Sequence, residues 1–344
     1  MTTPPGIDLD ALAPFFKLHV GTRPTWADLI AGGRSNLTYE VGDGMRSWVL
    51  RRPPLGHVLP TAHDMAREYR VIAALRDTPV PVPPTVAFCD DPNVIGAPFY
   101  VMDKVEGRIL RTADDASALS EHDARECSRA LVDGLAAIHA VDYEAVGLGD
   151  FGRPDGYLER QVRRWSEQWE RSKTRELPGV DELARRLRAA LPTSGAPTIV
   201  HGDYRLDNTI LDATDSGRIA AVLDWEMATI GDPLTDVGLF LLYWSAPETA
   251  LVSAAPAATL PGFYSAVEVK DHYATVTGRD LADIDFYLVL AYFKLAIILE
   301  GIHARFAMGA TVGEGFDELG TMVGALVDGG LRVSDESGIA RLRG

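Results

Sequence analysis

The chain has 344 residues, 47% hydrophobic and 24% charged, the make-up of an ordinary globular protein long enough for two domains or lobes. A formal charge of −16 and a pI near 4.9 exclude nucleic acid as the main partner, because phosphate backbones are bound through clustered Lys and Arg. Cys89 and Cys127 have no metal-binding spacing, and Met1-Thr2-Thr3-Pro4-Pro5 lacks the basic and apolar regions of a secretory signal, so reduced thiols in a cytoplasm are expected.

Apolar residues at Leu12, Phe15, Phe16 and Val20 predict a helix over Leu9 to Val20 that packs on the first lobe. From Ala31 to Arg51 the chain reads as strand, Gly turn, strand, a turn at Gly42-Asp43-Gly44, and strand. Gly32-Gly33 would let backbone N–H groups approach a phosphate, with Ser35 and Asn36 as further donors; an ordinary hairpin turn accounts for the same residues. Strand alternation sends Arg51 and Arg52 to opposite faces, and Pro53-Pro54 ends the strand. Met65 to Leu75 reads as a helix carrying Glu68, followed by the stiff segment Pro79 to Pro84 and strands at Thr85–Phe88 and Pro98–Gly107.

Ser120 caps a helix running to Val141, with Asp123 in its first turn, Leu131, Leu135 and Ile138 on its buried face, and His139 in the core. Leu158, Val162, Trp165 and Trp169 form a further helical stripe. The segment 153–188 holds ten Arg or Lys against seven Asp or Glu, either a salt-bridged solvated helix or an anion-binding rim. Phe286 to Ile302 is the most apolar span; Lys294, Glu300 and its length argue for a buried helix and no membrane partner.

The chemistry concentrates between these helices. Thr198-Ile199-Val200 leads into His201-Gly202-Asp203-Tyr204-Arg205-Leu206-Asp207-Asn208, and a hairpin follows with strands Thr209–Leu211 and Arg218–Leu223. Asn208 and Asp224 each lie eight residues from Ser216 in the turn, so an ideal antiparallel hairpin sets them opposite each other. Asp203, five residues before Asn208, stands at the same end. Two carboxylates and an amide oxygen suit Mg²⁺ that takes its remaining ligands from water and substrate phosphates. Each of the three residues alone would be read as a turn cap.

Asp203, Asn208 and Asp224 match the protein-kinase-like scheme of catalytic base and metal ligands. His201-Gly202-Asp203 and Asp224-Trp225-Glu226 resemble the aminoglycoside phosphotransferase and choline kinase superfamily, closest in look to the kinase domains fused to acyl-CoA dehydrogenases. The resemblance implies an α+β, two-lobed protein-kinase-like fold. Its small antiparallel-sheet, nucleotide-binding N-lobe would span 1–105, and its mostly helical C-lobe, with catalytic loop and substrate pocket, 106–344. It implies an ATP-dependent kinase, GTP remaining open as donor, that phosphorylates a hydroxyl of a small molecule. Asp203 would be the base, Asn208 and Asp224 the Mg²⁺ ligands, and His201 the support of the loop.

By the same resemblance Arg51 would steady phosphates with Glu68 as its partner, alongside Gly33, Ser35 and Asn36. The Asp103 carbonyl and Val105 N–H would bind adenine, Asp236 would brace the loop, and Glu300, His303 and Arg305 would be substrate-pocket candidates. Only seven residues separate Asp224 from Asp232, which leaves no room for a peptide-binding activation segment and favours a small-molecule acceptor. The arginines Arg160, Arg163 and Arg164 favour an anionic acceptor, whereas Asp280, Asp283 and Asp285 read as a helix N-terminus rather than a pocket for an amino sugar. A catalytically silent nucleotide-binding protein on the same fold and a Mg²⁺-dependent nucleotide hydrolase are the other readings. Nothing in the sequence indicates the oligomeric state.

Overall fold

The computed structural model describes residues 3–30, 36–55, 64–249, 257–307 and 319–344. Helix α1 (Leu9–His19) starts at Asp8, whose carboxylate accepts from the N–H groups of Asp10 and Ala11. Strands β1 (Trp26–Leu29), β2 (Leu37–Gly42) and β3 (Ser47–Arg52) follow, then helix α2 (Met65–Leu75), capped by Asp64, and strands β4 (Thr85–Cys89) and β5 (Phe99–Asp103). All pair antiparallel in the order β1-β2-β3-β5-β4.

Period-two alternation divides the sheet into two faces. Tyr39, Val41, Trp48, Leu50, Phe99 and Val101 pack with Leu12 and Phe16 of α1. Val49, Tyr100 and Met102 pack with Val71, Ile72 and Leu75 of α2, in a core that runs on into the helical lobe. Arg51 shares the Val49 face. Arg52 points the other way, where its guanidinium donates to the carbonyls of Gly6 at 2.7 Å and Ile95 at 2.8 Å and ties the N-terminal loop to the sheet. β1 is the strand expected ahead of the Gly turn, set a few residues earlier than the Ala31 at which that pattern begins.

The second lobe is mostly helical: α3 (Ala113–Ser117), α4 (Glu121–Ala140), α5 (Tyr157–Ser172), α6 (Pro178–Ala189), α7 (Leu234–Ser245), α8 (Ala266–Thr277), α9 (Ile284–Ala307) and α10 (Leu319–Glu336). Ser120 caps α4 as expected, accepting from the Asp123 N–H at 3.1 Å. α9 lies at the centre, packed on α5, α6, α7 and α10. Among the described residues it is the one helix long and apolar enough to cross a bilayer, and 72% of its most apolar stretch is buried inside the fold, as in a core helix. Asp280, Asp283 and Asp285 precede or open it. Asp280 accepts from the Ala282 N–H, the Asp283 carbonyl from the Phe286 N–H, and Asp285 from the Ser337 hydroxyl.

Between α6 and α7 lies the β-structure that carries the site. β6 (Thr198–Val200) pairs with β9 (Thr229–Gly231), and β7 (Thr209–Leu211) with β8 (Ile219–Val222). The hairpin register differs from the symmetric expectation. Asn208 ends a 3-10 turn (Leu206–Asn208) rather than opening the strand, and its carbonyl accepts from the Leu223 N–H at 2.8 Å. Asn208 is therefore opposite Leu223, with Asp224 one residue further on. A bulge between Ile210 and Leu211 shifts the pairing. Leu211 also bridges Arg108 through two 2.8 Å backbone bonds, joining the hairpin to the chain just beyond β5. Gly107 permits this approach, since a Cβ there would sit 2.3 Å from the Leu211 carbonyl oxygen.

Candidate active site

The loop after β6 is held by one buried carboxylate. Asp236, in the first turn of α7, accepts from the N–H of His201 at 2.6 Å and of Gly202 at 2.8 Å. Behind it His139 Nε2 lies 3.2 Å from its Oδ2, and His139 Nδ1 lies 2.7 Å from the Tyr273 hydroxyl. His139 thus packs in the core, as expected, and also supports the loop. Burial alone would push the Asp236 carboxyl up. The bond to His139, the nearby imidazoles and the Gly202 N–H outweigh it and hold the group below the usual carboxylate range.

His201 is fully buried. Its Nε2 donates to the Leu223 carbonyl at 2.9 Å, because a carbonyl can only accept, which leaves Nδ1 to accept the Asp203 N–H at 3.2 Å. Burial pushes this imidazole below its ordinary pKa, so the neutral tautomer those two bonds require is favoured. Gly202 adopts φ +83°, and a Cβ on it would lie 2.7 Å from the Met227 carbonyl oxygen. Gly202→Ala is expected to destabilise the fold by on the order of 1–3 kcal/mol, the cost of a residue forced into a sparsely populated conformation. Urea unfolding checks this, and an unchanged midpoint would rule the argument out.

Asp203 emerges from this loop with its side chain 22% exposed. The Asn208 amide Nδ2 donates to the Asp203 carbonyl and to its Oδ2, both at 2.9 Å. Arg205 Nε stands 3.5 Å from Asp203 Oδ2 and 3.2 Å from Asp207 Oδ1, and its guanidinium lies over the Tyr243 ring at 5.0 Å. With Nδ2 engaged on Asp203, the Asn208 Oδ1 is left as its oxygen donor.

Asp224 closes the hairpin at φ 65°, the one non-glycine residue among those described with positive φ, a conformation Asp tolerates better than most. Its Oδ1 accepts from Arg51 at 3.0 Å, and the same Arg51 nitrogen lies 3.2 Å from Glu68 Oε1. β3, α2 and the hairpin, each from a different part of the chain, thus meet through one guanidinium. Burial pushes the Glu68 carboxyl upward against the pull of Arg51. Arg51, disfavoured by burial, is held charged by Glu68 and Asp224. α2 is further fixed to the helical lobe by Arg67, which donates to the Ala228 carbonyl at 3.1 Å and lies over the Phe151 ring at 3.7 Å.

An amide oxygen and a carboxylate form a hard, incomplete oxygen set, and among the described residues no group of three His, Cys, Asp or Glu could hold a metal. Such a set fits Mg²⁺, which keeps waters and shares a substrate's phosphates, better than a metal that needs a full protein cage.

Other expected residues fall elsewhere. Asn36 is buried and donates to Glu226 Oε2 at 2.8 Å, so its amide joins β2 to the segment after Asp224 rather than standing ready for a phosphate. Gly33 and Ser35 lie outside the described residues. Asp103 ends β5, its N–H bonded to the Pro84 carbonyl at 2.8 Å, and Val105 is two residues on. Glu300 is not a pocket group. Fully buried, it accepts from the Thr174 N–H and hydroxyl and from Arg175, and so anchors the turn after α5. His303 packs beside Gly320, and Arg305 is exposed. Arg160 donates to the carbonyls of Arg153 and Asp155, and Arg163 pairs with Glu167 at 3.9 Å. Lys294, unassigned from the sequence, reaches the loop and donates to the Gly202 carbonyl at 2.6 Å.

Residues 26–266 match the model of the phosphotransferase enzyme family. The chain is 34% identical to human (Homo sapiens) acyl-CoA dehydrogenase family member 11 over 88% of its own length and 39% of that protein. It is 35% identical to mouse (Mus musculus) acyl-CoA dehydrogenase family member 10, over 88% of this chain and 29% of that one. The chain therefore spans well under half of these relatives. A crystal structure of a candidate aminoglycoside phosphotransferase from Ralstonia eutropha superposes with a TM-score of 0.81 at 33% identity, covering 95% of this chain and 98% of the other. An aminoglycoside phosphotransferase APH(4)-Ia mutant in complex with AMP-PNP and hygromycin B gives 0.62 at 16% identity, over 95% and 99% of the two chains, and attests the two-lobed α+β fold alone.

Proposed function

Since the chain belongs to the phosphotransferase enzyme family, we propose that it transfers the terminal phosphoryl group of ATP to a hydroxyl of a small molecule. The observation that carries this reading is the meeting of Asp203, Asn208, Asp224 and Arg51 around a loop whose backbone is pinned by Asp236. Structural neighbours solved with AMP-PNP and with GDP support a nucleotide as donor.

In this mechanism Asp203 orients the acceptor hydroxyl and takes its proton as the O–P bond forms, with ADP as the leaving group. Arg205 and Tyr243 also approach the Asp203 carboxylate, Arg205 at the same Oδ2 that Asn208 bonds, and help to hold it in place. Arg51, kept charged by Glu68, steadies the nucleotide phosphates. Asn208 Oδ1 and the Asp224 carboxylate would hold Mg²⁺, which when bound neutralises phosphate charge. His201 keeps the loop backbone in register. Transfer of this kind asks mainly for positioning and charge neutralisation.

The acceptor we infer is a hydroxylated, anionic metabolite of the 4-hydroxyacyl-CoA kind rather than an amino sugar. The cations Arg205 and Lys294 stand at the loop, 3.5 Å from Asp203 Oδ2 and 2.6 Å from the Gly202 carbonyl, and the relatives' names associate such chains with acyl-CoA chemistry. Steady-state ADP release with a 4-hydroxyacyl-CoA, with kanamycin and with no acceptor tests this. The CoA thioester should be turned over in preference. Efficient turnover of kanamycin, near ~10⁴ M⁻¹s⁻¹, would reverse the assignment, and ADP release indifferent to any acceptor would make the protein a hydrolase.

A further inference from the structure

Lys294 lies midway along α9 between Phe293 and Leu295, both buried, in a helix otherwise made largely of apolar side chains. Its ammonium donates to the Gly202 carbonyl at 2.6 Å and stands 5.9 Å from the centre of the Trp165 ring. No Asp or Glu among the described residues comes within ion-pair distance of it. Burial pushes its pKa down, partly countered by the more distant charges of Asp203 and Asp236. A cation kept in such a place is costly, and an apolar side chain of the same length would pack there at lower cost.

The carbonyl that Lys294 holds belongs to the peptide unit whose N–H is that of Asp203. That N–H is donated to His201 Nδ1 at 3.2 Å, and the N–H of Gly202 itself goes to Asp236 at 2.8 Å. The peptide plane entering Asp203 is thus gripped at both edges, by the imidazole on one and the ammonium on the other. Glycine at φ +83° has no Cβ to resist rotation of that plane, so the two side-chain bonds must fix it. Tilting the plane swings the Asp203 Cα–Cβ bond and the carboxylate with it.

We propose that Lys294 is a positioning residue of the phosphoryl-transfer site, reaching from α9 to fix the plane of the Gly202–Asp203 peptide and hence the aim of the Asp203 carboxylate. This rests on Asp203 being the base. The test uses the full chain, ATP with Mg²⁺, and ADP release with water or the 4-hydroxyacyl-CoA as acceptor. Lys294→Met is expected to keep or raise Tm, leave ATP affinity unchanged, and lower kcat by about 10- to 100-fold, the range for a misplaced catalytic group. A merely structural lysine would lose Tm and ATP affinity together. Lys294→Ala should lose kcat similarly and regain it with n-propylammonium, and its amide exchange over residues 201–205 should quicken.

A kcat within twofold of wild type in both variants overturns the proposal. So does a joint fall of Tm and kcat that the amine does not restore. Should wild type release ADP no faster than Asp203→Asn, the base assignment is what fails; unchanged amide exchange in Lys294→Ala would then overturn the positioning role on its own.

Discussion

Asp203→Asn is expected to lower kcat by on the order of 10²–10⁴, the usual contribution of a general base, while leaving the fold and ATP binding intact. The geometry explains why the loss should be so selective. The Asn208 amide can still donate to the remaining side-chain oxygen at this position, as it does now at 2.9 Å. Arg205 keeps Asp207 at 3.2 Å and the face of Tyr243, so no buried cation is stranded. The side chain is 22% exposed and Asn is its isostere, so the substitution opens no cavity. What disappears is the capacity to accept a proton. Rapid-mix ADP release with a matched ATP-binding isotherm checks both halves, and near-wild-type turnover would remove Asp203 from the role of base.

Much of this site was legible because its residues are close in sequence. The run from His201 to Asn208 and the hairpin to Asp224 fall within 24 residues, and their local pattern indicates strand, loop and turn. Helices with caps and apolar stripes were equally plain; Met65–Leu75 carries both. What escaped depends on long-range contacts or on backbone. β9 has three residues and no alternation, so only its pairing with β6 defines it. The hairpin register shifted by one because a bulge and a 3-10 turn leave no mark in composition. Asn36 reads as a phosphate donor until its partner Glu226, 190 residues away, is brought against it. Glu300 and Lys294 read as two charges in one apolar helix. Only packing separates the carboxylate that anchors a turn from the ammonium that reaches the loop after β6.

Asp224 permits a sharper test than loss of activity, because its carboxylate has two opposite effects on a nucleotide. Without a metal it repels the phosphates and draws on the Arg51 guanidinium at 3.0 Å, which Arg51 would otherwise offer to them. With Mg²⁺ it becomes a ligand, and repulsion turns into attraction. Asp224→Asn should therefore bind ATP without Mg²⁺ as tightly as wild type or more tightly, and should lose most of the gain in affinity that Mg²⁺ confers. Asn is the preferred replacement because it tolerates the φ of 65° that Ala would adopt only with strain. Glu68 at 3.2 Å remains to hold Arg51, so the guanidinium keeps its place between α2 and the hairpin. Titration calorimetry with and without Mg²⁺ separates the two effects, a tenfold change in coupling corresponding to about 1.4 kcal/mol. Wild-type coupling between Mg²⁺ and ATP in Asp224→Asn would mean that the metal is held elsewhere, and that Asp224 serves only to orient Arg51.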